Sequence, residues 1–270
     1  MNKEILGNSL EYLKTLEDES IDLILTDPPY NTTDCKWETK ISWNDWWVEW
    51  KRIIKPTGTI VLTCQMPVLA DIVSSGLDLY RHRWIWKKNK CANFMAAKAS
   101  PMKYTEDILV FQKFGFMKSW NNNGKPKGIY NPQLIPASLA SIDRKKYKHE
   151  QSQSKNLQKI KNREKKVILS TLKNKPDNLK YPNDIIEFNV DTKDKIHPTQ
   201  KPVLLFEYLI KTYTNDGMTV LDCFAGSMTT AISCLNTDRK YICIEQEEEM
   251  FNKAKERIKN WHDDKASRLF

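Results

Sequence analysis

Asp27-Pro28-Pro29-Tyr30 concentrates more chemistry than any other stretch of this chain. Consecutive prolines lock two φ angles and remove two backbone donors, which leaves a rigid turn rich in acceptors. The Asp27 carboxylate is one acceptor and the Pro28 carbonyl a second. Two fixed acceptors suit an amino group with two N–H bonds. Gripping both hydrogens draws the nitrogen lone pair out of ring conjugation and toward an electrophile. Tyr30 adds a ring face for a flat heterocycle to stack on. The plain alternative is a Pro-Pro turn capped by an aspartate. Against it stands the position of the four residues, directly after the β-rich run Ile21 to Leu25.

Two further features follow β-rich runs. Phe224-Ala225-Gly226-Ser227 comes after Thr219-Val-Leu-Asp222, and Glu245 ends Tyr241-Ile-Cys-Ile-Glu245. Ligands of open α/β sheets bind outside the carboxyl ends of the strands, so three strands sharing one sheet would bring these features together.

The elements that must do this positioning alternate along the chain. After Ile21–Leu25, Trp43, Trp46, Trp47, Trp50 and Ile54 recur at helical spacing, which predicts a buried helix face rather than a base-stacking stripe. Lys55-Pro-Thr-Gly58 is expected to stop that helix. Thr59–Thr63 reads as a strand, Val68–Val73 as a helix, and Arg83–Trp86 and Asp107–Phe111 as strands. Val203–Tyr213 reads as an amphipathic helix, Ala231–Leu235 as helical, and Glu247–Trp261 as a charged closing helix. Such alternation predicts an α/β fold with a doubly wound, mostly parallel sheet.

Between residues 113 and 195 the texture changes to Lys, Asn, Gln and Ser runs, with one basic helix expected near Lys155 to Leu172. This stretch holds 19 Lys or Arg against 8 Asp or Glu, a net of +11, within a chain whose net charge is +9. The expected organisation is a catalytic domain of residues 1–112 and 196–270, interrupted by a basic target-recognition insert of residues 113–195. Concentrated positive charge fits a polyanionic partner, with a solvated lysine loop as the alternative.

Six cysteines without a C-x-x-C pair argue against structural zinc and a disulfide framework, so no metal is expected. With no run of eighteen apolar residues and no signal core, the expectation is a cytoplasmic, nucleoid-associated protein without a membrane partner.

These motifs together resemble the amino-methylating DNA methyltransferases, whose signature is Asp/Asn/Ser-Pro-Pro-Tyr/Phe. The likeness covers everything outside the insert. It includes Leu6-Gly-Asn8, Ser20 through Tyr30, Lys55 through Leu62, His197-Pro-Thr-Gln-Lys-Pro202, Leu221 through Thr230, and Tyr241 through Glu245. The order, with tetrapeptide first, insert next and cofactor loop last, is that of the β class. The resemblance implies the S-adenosylmethionine-dependent methyltransferase sheet in circularly permuted order. It also implies double-stranded DNA as substrate, and it admits a homodimer and a cognate restriction endonuclease as partners.

Carried over by position, it assigns Asp27, Pro28, Pro29 and Tyr30 to base binding and catalysis. Asn8, Asp27, Lys201, Phe224, Gly226, Ser227, Thr229 and Glu245 would bind S-adenosylmethionine. Within that set, Asn8 would approach the adenine ring, Lys201 the methionine carboxylate and Glu245 the ribose hydroxyls, while His197 and Thr199 position their loop. Trp37 and Trp86 are placed near an extruded base, and Lys87, Lys88, Arg144, Lys145 and Lys146 on DNA. Asp rather than Ser at the tetrapeptide's first position leans toward the N6 of adenine over the N4 of cytosine.

One position departs from the pattern: Gly226-Ser227 is followed by Met228 where the family has glycine. A helical backbone there would accommodate the change. A weakened cofactor site, and with it a catalytically silent DNA-binding protein, is the rival reading. An RNA or protein methyltransferase is a second rival, disfavoured by the size and position of the insert.

Overall fold

The computed structural model describes residues 2–30, 41–91, 93–113, 128–136, 178–192, 195–197 and 199–267. The chain forms two compact units, one of residues 1–131 with 184–270 and one of residues 132–183. Trp37, Arg144, Lys145, Lys146 and the basic helix expected near Lys155 lie outside the described residues.

The first unit opens with β1 (Lys3–Leu6), α1 (Ser9–Leu13), β2 (Ile21–Thr26), α2 (Trp43–Ile53) and β3 (Ile54–Cys64). Next come α3 (Val68–Ser75), β4 (Tyr80–Lys87) and β5 (Thr105–Gln112). The second unit contributes β6 (Ile135–Pro136) and β7 (Leu179–Lys180), an antiparallel pair. The chain returns to the first unit with β8 (Ile185–Glu187), α4 (Val203–Tyr213), β9 (Thr219–Asp222), α5 (Thr229–Asn236), β10 (Lys240–Glu245) and α6 (Glu248–Ser267).

Eight strands make the main sheet, in the order β1-β10-β9-β2-β3-β5-β4-β8. Neighbours from β1 to β3 pair in parallel, β5 runs antiparallel to both β3 and β4, and β8 pairs parallel to β4. The mostly parallel sheet is thus confirmed. Alternation along each strand covers both of its faces. Leu23, Leu25, Val220, Tyr241 and Cys243 pack with Leu205, Leu209, Ala231 and Phe251 from α4, α5 and α6. Ile24, Ile60, Leu62, Leu221 and Ile244 pack on the other face with Leu13, Trp47, Trp50 and Ile72 from α1, α2 and α3. The tryptophans of α2 are core, none more than 9% exposed. Burying a large apolar side chain stabilises by about 1.5–3 kcal/mol, so this face is what holds α2 to the sheet.

Two details differ from the sequence expectation. Helix α2 ends at Ile53, but Lys55-Pro-Thr-Gly58 is part of β3 rather than a separating turn, and the β2–β3 register shifts to absorb it. Strand β8 comes from the stretch expected to be insert, yet Ile185–Glu187 pairs with Ile85–Lys87 in the main sheet. No helix among the described residues is long and apolar enough to cross a membrane.

Candidate active site

Register brings the three strand-end features together. Leu23 and Ile24 of β2 pair with Val220 and Leu221 of β9, and Tyr241 and Ile242 of β10 pair with Val220 and Leu221 on the other side. Asp27, Phe224 and Glu245 therefore leave the sheet on one edge. A cleft of about 370 Å³ runs along it, lined by Asn8, Asp27, Pro28, Pro29, Tyr30, Lys201, Phe224, Gly226, Ser227, Thr229 and Glu245. His197 and Thr199 line it too, as do Ser9, Asp45 and Trp46, which had no assigned role.

A buried carboxylate anchors the loop after β9. Asp222 accepts hydrogen bonds from Thr26 Oγ1 (2.6 Å), Thr230 Oγ1 (2.5 Å) and the Phe224 N–H (3.1 Å). Burial pushes its pKa up to about 6, with the two hydroxyls and the Phe224 amide holding it below a higher value. Phe224 is set against Trp46, with ring centroids 4.7 Å apart.

The residues around this loop fit an S-adenosyl group. Gly226 has φ +48°, and a Cβ placed on it would meet no heavy atom within 4 Å, so the backbone borders open space. Glu245 accepts from the Gly226 N–H (2.8 Å) and the Glu247 N–H (2.8 Å). A carboxylate has about four lone-pair sites, so two remain for a vicinal diol. Asn8 lies beside Glu245 because the Gly7 N–H bonds the Glu245 carbonyl at 2.9 Å. Its Oδ1 caps α1 by accepting from the Glu11 N–H at 3.1 Å. Ser227 and Thr229 are buried behind the loop, where Arg257 of α6 donates to the Ser227 carbonyl (2.7 Å) and Thr229 Oγ1 donates to the Lys201 carbonyl (3.2 Å).

The backbone at Met228 is left-handed (φ +54°, ψ +38°) rather than helical, so that expectation is corrected. Its side chain is fully buried, a member of the core cluster that includes residues of α4, α5 and α6, and does not line the cleft.

Asp27 sits at the head of a chain of alternating charges. Its Oδ1 accepts from Tyr30 Oη at 2.5 Å and from Thr63 Oγ1, and its Oδ2 pairs with Lys201 Nζ at 2.6 Å. Lys201 Nζ also stands 3.4 Å from Glu106 Oε2, and Glu106 Oε1 pairs with Lys88 Nζ at 2.8 Å. Lys88, Glu106 and Lys201 are all buried. Burial alone would raise the pKa of Glu106, but the Lys201 and Lys88 ammoniums outweigh it and hold the carboxyl below its usual range. For Lys201 burial works downward and is outweighed by Asp27 and Glu106, so its ammonium is strengthened. Burial, then the nearby Asp27, raises the Tyr30 hydroxyl well above the usual range. The ring of Tyr30 lies 5.3 Å from Lys201 Nζ, within cation–π range.

This geometry changes several expectations. Lys201, expected at the methionine carboxylate, is engaged with Asp27 and Glu106. Trp86, expected near an extruded base, is 2% exposed, and its Nε1 donates to the Phe188 carbonyl within the core. Lys88 is buried in its ion pair rather than free for phosphate, while Lys87 is exposed and pairs with Glu187. His197 turns its loop by accepting from Thr199 on Nδ1, and burial lowers its pKa. Thr63 and Glu106 were missed. Their only signal was position: Thr63 lies one residue before the end of β3, the strand beside β2, and Glu106 is an acidic residue near the start of β5.

Comparisons with known proteins place the chain in a family. A family model described as DNA methylase matches residues 21–256. The chain is 30% identical to the type II methyltransferase M.HpaI of Haemophilus parainfluenzae, over 94% of this chain and 73% of that protein. It is 29% identical to the DNA adenine methyltransferase YhdJ of Escherichia coli K12, over 89% and 77%. The fold is shared with the M1.HpyAVI–SAM complex, with a TM-score of 0.62, 24% identity and coverage of 96% and 99%. The cytosine-N4-specific PvuII DNA methyltransferase superposes with a TM-score of 0.61 at 16% identity, over 94% and 84%. The chain belongs to the N6/N4 family of S-adenosylmethionine-dependent DNA methyltransferases.

Proposed function

We propose that this chain methylates the exocyclic N6 of adenine at a specific site in duplex DNA, with the target base flipped into the cleft. The observation that carries the choice of base is Asp27 itself, an aspartate where a serine would lean toward cytosine, held by three donors at the head of the cleft. The likeness to a relative named as an adenine methyltransferase supports it. The cytosine-N4-specific neighbour shares the fold at 16% identity and does not discriminate between bases.

Bound S-adenosylmethionine supplies a methyl on a sulfonium, open to in-line attack by the amine lone pair. Phe224, Gly226 and Glu245 would hold the adenosyl end in the cleft that the tetrapeptide also lines. Asp27 and the Pro28 carbonyl accept the two amino hydrogens, and Asp27 is the base nearest the proton that leaves. No covalent enzyme intermediate is needed, so proximity and orientation carry much of the rate, up to about 7–11 kcal/mol of barrier. Lys201 and Thr63 fix the Asp27 carboxylate while the base enters; Tyr30 exchanges its hydroxyl contact for a stacked ring.

Residues of the insert, Arg144, Lys145 and Lys146 among them, would read or hold the duplex. Pairing with a restriction endonuclease and dimer formation belong to the same proposal. The silent-protein reading loses its motive, because the Met228 side chain lies in the core and Gly226 keeps its open approach.

The test is to methylate unmodified DNA with the pure protein, digest it and identify the nucleoside. N6-methyladenine is expected, and N4-methylcytosine would overturn the proposal. Asp27→Ala should abolish transfer and spare DNA binding; retained activity would refute the mechanism.

A further inference from the structure

The connection between β4 and β5, described at residues 88–91 and 93–104, is hydrogen-bonded yet turns apolar side chains outward. Asn93 organises it: Oδ1 accepts from the Lys103 N–H (2.6 Å) and Nδ2 donates to the Pro101 carbonyl (3.1 Å). Residues Phe94–Ala96 form a 3-10 turn, closed by the Ala97 N–H on the Phe94 carbonyl (3.1 Å) and followed by the Ser100 N–H on the Ala96 carbonyl (2.9 Å). The base of the loop is pinned where the Lys88 N–H meets the Tyr104 carbonyl at 2.7 Å. At its tip Phe94 is 71% exposed and Met95 95%, with Met102 at 45% and Tyr104 at 40% nearby. A hydrogen-bonded turn that holds two large apolar side chains in water gains nothing for the isolated chain, since burying them is what would be favourable.

Charge selects the partner. No Asp or Glu occurs between Lys87 and Tyr104, while Lys90, Lys98 and Lys103 are exposed and unpaired with any described residue. Like charge disfavours a second copy of this net +9 chain. A polyanion whose interior is a stack of flat apolar faces satisfies both halves of the surface.

Position selects the place on that partner. Strand β4 runs in the same direction as β2 and β3, so its carboxyl end at Lys87 lies on the edge from which Asp27 emerges. Three strand spacings separate β2 from β4, on the order of 14 Å. The root of the loop is Lys88, whose ion pair with Glu106 belongs to the charge chain that ends at Asp27.

We propose that this loop is a wedge for duplex DNA: Phe94 and Met95 enter the stack beside the target pair while Lys90, Lys98 and Lys103 meet flanking phosphates. Apolar side chains inserted between base steps are a known way to unstack a duplex, and they lower the cost of extruding a base. The inference rests on the reading that the chain flips a base out of duplex DNA.

The test compares the wild type with the double variant Phe94→Ala/Met95→Ala, on a duplex containing the mapped site and on the same duplex with the target base mispaired. The variant should bind S-adenosylmethionine like the wild type in calorimetry, which also reports its folding. Its single-turnover rate on the paired duplex should fall roughly tenfold or more, the scale of one lost base-stacking contact. Mispairing should restore most of the loss, because a mispaired base leaves its stack cheaply. Lys90→Ala/Lys98→Ala/Lys103→Ala should reduce the slope of log affinity against log salt by about 2 to 3. Undiminished turnover on the paired duplex would overturn the wedge, as would an equal loss on both duplexes. So would a loss tied to dissociation of a dimer in sedimentation, which would make the loop a contact between copies. A wild type that transfers no methyl to any DNA would bring down the functional reading as well, whereas an active wild type matched by the variant removes the wedge alone.

Discussion

Substituting Met228 separates two opposing energies at the cofactor loop. The residue holds φ +54° and ψ +38°, a left-handed conformation that costs a residue with a side chain about 1–2 kcal/mol. Its side chain is 0% exposed in the core, and such burial stabilises by about 1.5–3 kcal/mol. Burial wins, which is why a methionine is tolerated here. Met228→Ala keeps the left-handed backbone and empties the site, so it should destabilise by about 2–5 kcal/mol. Met228→Gly loses the same packing but relieves the strain, less the roughly 0.5–1 kcal/mol of extra freedom that glycine has when unfolded. The glycine variant should therefore be the more stable of the two by about 1 kcal/mol, a difference of about 2–4 °C in Tm for a unit of this size. Thermal and urea denaturation of both variants measures this. Calorimetry with S-adenosylmethionine should find their affinity at the wild-type value, because the side chain faces away from the cleft. An alanine variant as stable as the glycine variant would refute the strain argument. A tenfold gain in cofactor affinity for Met228→Gly would show that the methionine obstructs the site after all.

Other consequences follow from the same geometry. Gly226→Ala should fold with a penalty of about 1–2 kcal/mol for its positive φ and should bind S-adenosylmethionine at least several-fold more weakly, because the new methyl projects into the open approach; unchanged affinity in calorimetry would contradict the placement of the cofactor. Glu106→Gln leaves Lys88 buried without its ion-pair partner and Lys201 with Asp27 alone, and should lower stability by about 3 kcal/mol together with the single-turnover rate; an unaltered denaturation midpoint would show that the charge chain is not coupled. Asp222 binds its proton more tightly in the folded state, near pH 6, than the unfolded value of about 3.9. Its contribution is therefore fully present below about pH 4, falls as pH rises toward 6 and is flat above, amounting to about 3 kcal/mol. Asp222→Asn should lack that slope, so the stability difference between wild type and variant should change between about pH 4 and 6; parallel wild-type and variant profiles from pH 4 to 7 would refute it.

Much of the site was legible because it depends on local chemistry and one topological rule. Asp27-Pro28-Pro29-Tyr30, Phe224-Ala-Gly-Ser227 and Glu245 each follow a run of strand-forming residues, and strand ends in an open α/β sheet converge by construction. The tryptophans of α2 declared themselves as core by helical spacing, and the structure buries them. Trp86 misled because a lone tryptophan before two lysines carries no periodicity; only the β4–β5 and β4–β8 pairings decide that it points inward. Glu106 and Lys88 were invisible as partners for a related reason. They meet across neighbouring strands, and Lys201 reaches them from a segment far along the chain.

The sequence by itself determined the class of reaction, the kind of cofactor and the strand-end residues that line the cleft, since residue type and order suffice for these. Only the tertiary structure decided that Asp27 is held by Thr63, Tyr30 and Lys201, that β8 closes the main sheet, and that Met228 turns left-handed into the core. Those outcomes depend on which side chains from distant segments fill the same space, and local pattern does not encode strand register or packing. The tetrapeptide names its chemistry, and the fold supplies the charges that hold it in place.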